Sequence, residues 1–178
     1  QETYMPDKAI ALRSNQLSCL SQVIHDLWCS SEFKFCLEQY VDLSSGILKL
    51  SSANEEQKAL INETYKDWKR LSVVPTTFVS EYTKLVSEST HIWQKARTAS
   101  SFIQFQPYLD DLIARTKQLS HFINPNISVY DALLNEYEPG LTYNVTRKLF
   151  DALKCKCVTM LEKIKCSNIN IKQIDGSF

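Results

Sequence analysis

The side chains best suited to proton transfer or metal binding near neutral pH are three histidines, His25, His91 and His121. Metal-activated hydrolysis asks for two imidazoles on one helix face with a carboxylate base beside them. His-Glu-x-x-His meets that demand because residues four apart stack on the same face. Here Asp26, Ile92 and Phe122 follow the three histidines, and no two histidines lie four apart. The motif is absent, and each histidine reads as a partly exposed or hydrogen-bonded helix residue. Cys155, Cys157 and Cys166 offer soft ligands, but their spacing is not that of a zinc knuckle or finger. Residues two apart on a helix also point in different directions. The carboxylate pairs Glu55-Glu56 and Asp110-Asp111 read as solvated helix faces, and Trp28, Trp68 and Trp93 as core. Three glycines cannot furnish a phosphate-binding loop or a nucleophile elbow. No catalytic, cofactor-binding or metal-binding residue is assigned to this chain.

The elements around these residues are helices. With 178 residues the chain fits one domain with a sizeable core. Only three Gly and five Pro punctuate it, which speaks against a turn-rich sandwich or barrel. Apolar residues recur at steps of three and four. Leu17, Leu20, Ile24 and Leu27 mark a helix from Lys8 to about Trp28, with weaker signals at Leu12, Leu37 and Tyr40. Ser44 to Ser52 reads as loop around the short apolar run Ile47 to Leu50. Asn54 and Gln57 form a capping box ahead of a helix with Leu60, Ile61, Tyr65, Trp68 and Leu71 on one face. Pro75 suits the first turn of the next helix. There one stripe runs through Phe78, Tyr82, Leu85, Ser89, Trp93, Ala96, Ser100 and Ile103. Pro107 breaks this helix or starts another, which continues through Leu109, Leu112, Ile113, Leu119 and Phe122. A turn at Asn124 to Asn126, a short helix from Tyr130 to Asn135 and a stop at Glu138-Pro139-Gly140 follow. Thr142 caps a last helix with Val145, Leu149, Leu153, Met160, Leu161 and Ile164 inside, and residues 167–178 read as an irregular tail. The fold class is all-α, a single helical region of long, mostly antiparallel helices.

Composition also limits the partners. Twenty basic and twenty acidic residues cancel, which leaves no basic stripe for nucleic acid. No apolar run reaches the roughly 20 residues that span a bilayer. The six cysteines read as free, mostly half-buried thiols in a reducing compartment. A secreted helical-bundle signalling protein stays open as an alternative. It would use those cysteines as disulfides and the Asn62, Asn126 and Asn144 sequons as glycan sites. A non-catalytic interaction module is a third reading.

Three stretches carry a resemblance to the carboxypeptidase Taq family. Gln1-Glu2-Thr3-Tyr4-Met5-Pro6, with Arg13 and Gln16-Leu17 after it, is similar to the family's Trp-Asp-Gln-Glu-x-x-Met-Pro segment. Its Trp-Asp is missing, and Asp7-Lys8 stands where Pro-Gly is usual. Trp93-Gln94-Lys95-Ala96-Arg97, then Phe102, Phe105, Pro107 and Leu109, resembles the Trp-x-x-Ala-Arg run leading into Phe-x-Pro-x-Leu. Tyr130 to Thr142 resembles Tyr-Asp-x-Leu-Leu-Asp-x-Tyr-Glu-Pro-Gly-x-Thr, with Asn135 in place of the Asp, and Leu149-Phe150 follows as in the family.

The resemblance implies the N-terminal portion of a two-lobed, all-helical and usually dimeric cytoplasmic enzyme. Such an enzyme uses zinc or cobalt to release residues from peptide C-termini. The metal would activate a water and polarise the scissile carbonyl, with a Glu as base. The His-Glu-x-x-His helix would lie beyond Phe178, so this chain is expected to be a piece of a longer protein, to form a cleft wall, and to be inactive alone.

Overall fold

A computed structural model describes residues 6–50 and 52–167. The first part of the amino-terminal motif, Gln1 to Met5, and all of the expected tail beyond Ser167 lie outside the described residues. Among the described residues, seven α-helices follow a 3-10 turn at Asp7–Ala9: α1 Ile10–Trp28, α2 Ser31–Glu38, α3 Glu55–Leu71, α4 Thr76–Thr98, α5 Phe102–Ile123, α6 Val129–Leu134 and α7 Tyr143–Cys166. No strand occurs among the described residues; a lone bridge pairs Val41 with Leu48. The chain is therefore all-α, and its contacts divide into two compact units, Gln1–Asn126 and Ile127–Phe178.

Within the first unit α4 packs against both α1 and α5. Contacts along each pair run in opposite chain directions. Ser14 meets Ser87 while His25 meets Thr76, and Tyr82 meets Thr116 while Phe78 meets Phe122. Both pairs are antiparallel. The α1 face turned to α4 is not the one the apolar spacing predicts. Leu20, Ile24 and Leu27 are each more than half exposed, and the packed positions are Ser14, Ser18 and His25. Ser14 is 0% exposed, and its hydroxyl donates to Ser87 Oγ at 2.9 Å; Ser18 Oγ donates to the Ser80 carbonyl at 2.8 Å. Small side chains let the two backbones approach closely, and each hydroxyl finds a partner across the seam, as a buried polar group must.

At the end of the seam His25 joins three elements. Its Nε2 lies 3.0 Å from the carbonyl of Leu71, the last residue of α3, and its Nδ1 lies 3.0 Å from Thr76 Oγ1 at the start of α4. Thr76 Oγ1 also donates to Asp26 Oδ1 at 3.0 Å. A carbonyl only accepts, so Nε2 carries a hydrogen; the single hydroxyl hydrogen of Thr76 serves either Asp26 or His25, never both at once.

The capping box on α3 forms as the sequence predicts. Asn54 Oδ1 accepts from the Gln57 N–H at 2.8 Å, and Gln57 Oε1 accepts from the Asn54 N–H at 3.1 Å. This helix buries Tyr65 against Leu37 and Val41, with Ile61 and Trp68 packed beside them, whereas Leu60 points to solvent. Pro75 stands at the N-cap of α4, one place before its expected position.

The stripe along α4 holds from Phe78 to Ala96 and then stops. Ser100 adopts φ 50°, a left-handed conformation that ends the helix, and Ile103 on α5 is 81% exposed. Pro107 neither breaks nor starts a helix. It sits in the second turn of α5 and withholds the N–H that the Ile103 carbonyl would have received. On the same helix Leu109, Leu112, Leu119 and Phe122 are partly covered, and Ile113 is exposed.

Between α2 and α3, Asp42 organises a tight loop. Its Oδ1 accepts from the Ser44 N–H at 2.8 Å, the Ser44 hydroxyl at 2.6 Å and the Ser45 N–H at 3.2 Å. Gly46 follows at φ 76°, where an added Cβ would stand 3.0 Å from the Tyr65 ring. The Ser44 side chain first, then the Ser44 and Ser45 amides, hold the Asp42 carboxyl down from its ordinary 3.8 to about 2. A carboxyl lowered by folding contributes stability above its unfolded value, and that contribution is lost as the pH falls toward the folded value. Stability is thus expected to decline between about pH 4 and pH 2 partly through Asp42. Acid titration of Asp42→Asn, followed by circular dichroism, should show a shallower slope in that window than the parent.

In the second unit α7 has no buried residue. Val145, Leu149, Leu153, Met160, Leu161 and Ile164 lie 45–60% exposed rather than inside. Their spacing describes a real apolar face, since Leu149, Leu153, Met160 and Ile164 follow one another on one side of the helix, but no described residue buries it.

Candidate functional site

The histidines lie on three different helices. His25 on α1 is spent on the clasp with Leu71 and Thr76. His91 on α4 places Nε2 3.6 Å from Asp7 Oδ1, and Lys95 Nζ reaches Asp7 Oδ2 at 2.8 Å. The Lys95 hydrogen bond, then its charge, holds the Asp7 carboxyl below the usual range. This cluster ties the 3-10 turn at Asp7–Ala9 to α4. His121 sits exposed near the end of α5. Among the described residues no three His, Cys, Asp or Glu side chains gather closely enough to hold a metal ion.

All six cysteines are free and exposed, not half-buried. Cys155, Cys157 and Cys166 share only the open surface of α7. Cys29 Sγ lies 3.7 Å from His25 Nε2, and desolvation first, then the Asp26 charge, push its thiol up, which blunts it as a nucleophile.

Two adjoining cavities run along α4 where it faces α5. The smaller, of about 290 Å³, is lined by Val86, Ser89, Thr90, Trp93, Phe105 and Leu112. The larger, of about 420 Å³, shares Trp93 and Phe105 and continues through Ala96, Arg97, Ser100, Ser101 and Phe102. Trp93, expected in the core, is 42% exposed and forms the common wall. The Arg97 guanidinium lies over its ring, 5.4 Å from the centroid. Ser89 is 3% exposed, and its Oγ is buried without a hydrogen-bond partner. The sequence marked Trp93, Ala96 and Arg97 as a motif and Ser89 as a member of the stripe; nothing in a linear pattern shows that a hydroxyl will be left unpaired.

The most specific motif, Tyr130 to Thr142, builds a corner. Asp131 Oδ1 accepts from the Tyr143 N–H at 2.6 Å and so serves the first turn of α7, while Thr142 stands at the N-cap without a side-chain bond. Ser128 Oγ caps α6 by accepting from the Asp131 N–H at 3.1 Å. Asn135 Oδ1 accepts from the N–H of Gly140, whose φ of 86° completes the bend. Tyr130 and Tyr143 meet edge to face at 5.8 Å. An amide oxygen accepts this bond as a carboxylate would, so Asn135 keeps the corner where the family has Asp.

These features define an all-α chain whose most specific motif shapes a helix corner. The family described as carboxypeptidase Taq (M32) metallopeptidase matches residues 1–177. The chain belongs to this family. It is 29% identical to Thermostable carboxypeptidase 1 of Pyrococcus furiosus over 92% of its length, and 26% identical to Carboxypeptidase 1 of Bacillus subtilis over 87%. The crystal structure of BsuCP superposes with a TM-score of 0.83 at 26% identity, covering 93% of this chain and 32% of that one. A Pyrococcus furiosus carboxypeptidase structure gives a TM-score of 0.71 at 29% identity, covering 92% of this chain and 31% of that one. The chain spans about a third of the length of these relatives: 31% of the first and 30% of the second. The family match does not favour the secreted signalling reading.

The described residues do not fit the metal that the family's name implies. His25 has both ring nitrogens engaged, His91 adjoins an Asp7–Lys95 ion pair, and no acidic or thiol cluster stands near any of the three histidines.

Proposed function

We propose that this chain is the helical segment of a metal-dependent carboxypeptidase that releases amino acids from peptide C-termini. It forms one wall of the cleft, and polypeptide outside these 178 residues supplies the zinc or cobalt ligands. The reading is carried by the family match over residues 1–177 together with a span of one third of the named carboxypeptidases. The uncovered apolar face of α7 supports it, because such a face in a water-soluble protein marks contact with further polypeptide. A dimeric enzyme working in the cytoplasm completes the proposal; six unpaired, exposed thiols suit a reducing compartment.

The purified chain with Zn²⁺ or Co²⁺ is expected to hydrolyse no peptide. A chimera in which it replaces the matched third of Bacillus subtilis Carboxypeptidase 1 is expected to release C-terminal residues in a metal-dependent way. Turnover by the chain alone would refute the division of labour. An inactive chimera with native helicity and bound metal would refute the function.

A further inference from the structure

We propose that α7 docks into an apolar trough edged on both sides by Asp and Glu side chains, contributed by polypeptide outside these 178 residues. The choice of occupant rests on the carboxypeptidase reading, under which this chain is about a third of a longer protein. The acidic edges are read from α7 itself. The helix carries six basic residues, Arg147, Lys148, Lys154, Lys156, Lys163 and Lys165, against two acidic ones, Asp151 and Glu162. This surplus stands in a chain whose twenty basic and twenty acidic residues cancel. Arg147 is spent on Asp151 at 3.7 Å, and none of the five lysines has an ion pair among the described residues.

Placement matters more than number. Residues seven or eleven apart return to nearly the same side of a helix. Lys156 and Lys163 therefore share one edge of the apolar face, and Lys154 and Lys165 share the other. Between the edges lie Leu149, Leu153, Met160 and Ile164, 45–60% exposed, over about 22 Å of helix at 1.5 Å per residue. Asp151 and Glu162, also eleven apart, fall on the opposite side. Lysines kept for solubility alone would stand there too, away from the apolar face. The helix macrodipole accounts for Lys163 and Lys165 in the last turn, but not for Lys154 and Lys156 in the middle of the helix. Lysines at the rim of an apolar face lay their methylene stems along it and hold their ammonium groups at its border. A partner that covers the face meets those charges at its own borders, where carboxylates are complementary and further cations repel.

Two cysteines of this helix read the docking directly. Cys157 stands in the apolar face, one turn from Leu153 and Leu161, and Cys155 stands on the far side, one turn from Asp151; both thiols are free and exposed. Iodoacetamide labelling is followed at each cysteine by mass spectrometry, in the 178-residue chain and in the Bacillus subtilis chimera, whose Bacillus portion supplies the trough. Cys157 is expected to react about tenfold or more slowly in the chimera, with Cys155 little changed. Lys154→Glu with Lys156→Glu, one on each edge, should restore Cys157 labelling in the chimera and lower its melting temperature by several degrees. The same pair should leave the helicity of the 178-residue chain unchanged. Gln at both positions should fall between Lys and Glu, and Lys148→Glu, set back from the face, should match the parent. Cys157 labelled as fast in the folded chimera as in the chain overturns the docking. Lys148→Glu as damaging as the edge pair, or Glu no worse than Gln, overturns the acidic edges. Protection of Cys157 by phosphatidylserine vesicles, but not in the folded chimera, overturns both and assigns the face to a lipid surface. Chimera activity is a separate readout. An active chimera with Cys157 unprotected leaves the carboxypeptidase reading standing, and an inactive one with Cys157 protected removes that reading alone.

Discussion

Ser14→Leu is expected to remove a large share of the stability of the first unit. Ser14 is fully buried in the seam between α1 and α4, with its hydroxyl on Ser87 Oγ at 2.9 Å. Leucine brings two more heavy atoms into a site without space, and overpacking of this kind costs about 1–3 kcal/mol. It also leaves the Ser87 hydroxyl buried and unpaired, for about 1–3 kcal/mol more. The sum, about 2–6 kcal/mol, is a large share of the 5–15 kcal/mol that holds a typical domain together. Ser14→Ala keeps the spacing and should lose about 1–2 kcal/mol through the orphaned Ser87 alone. Adding Ser87→Ala should recover much of that loss, because both partners are then apolar. Urea denaturation of the three variants checks the order. A double variant less stable than Ser14→Ala would mean that the hydroxyl pair is not what the seam requires.

His25→Ala is expected to cost about 3 kcal/mol: about 1 kcal/mol for each of two hydrogen bonds and the rest for the cavity left by the ring. His25 is 4% exposed and connects α1 to the end of α3 and the start of α4. The Leu71 carbonyl retains one donor, the Val74 N–H at 3.1 Å, and Thr76 retains Asp26, so neither is wholly abandoned. That limits the loss and localises it. Hydrogen exchange should accelerate first at the amides of residues 72–78, before α5 responds. A uniform change across α1 to α5 would contradict the assignment of His25 as a local clasp.

The signals that could be read in the sequence were those completed within a few residues. The Asn54–Gln57 capping box closes over three positions, and its outcome depends on nothing distant. The short helix before Glu138-Pro139-Gly140 was legible for the same reason. Face assignment was not. Leu20, Ile24 and Leu27 keep a helical period, yet the seam with α4 uses Ser14, Ser18 and His25, which are small or polar and score as surface. Periodicity locates a face that wants cover; it does not say which neighbour supplies it. The serines at 14 and 18, with His25 seven residues on, carried a signal of close helix approach, but hydropathy gives it no weight. Ser100 was misread because its left-handed turn is imposed by the corner between α4 and α5, at a residue type with little preference for it. The groove was half legible, since Trp93 and Arg97 stood in a motif, while the isolation of the Ser89 hydroxyl is a property of three dimensions only.

The bend before α7 has a kinetic and entropic implication for whatever settles on that helix. Asp131 and Asn135 fix the backbone at Tyr143 and Gly140 through polar links that need no apolar cover. The angle between α6 and α7 is set before association. A docking surface therefore meets a scaffold already in its final geometry and avoids the ordering loss that burdens segments which fold as they bind.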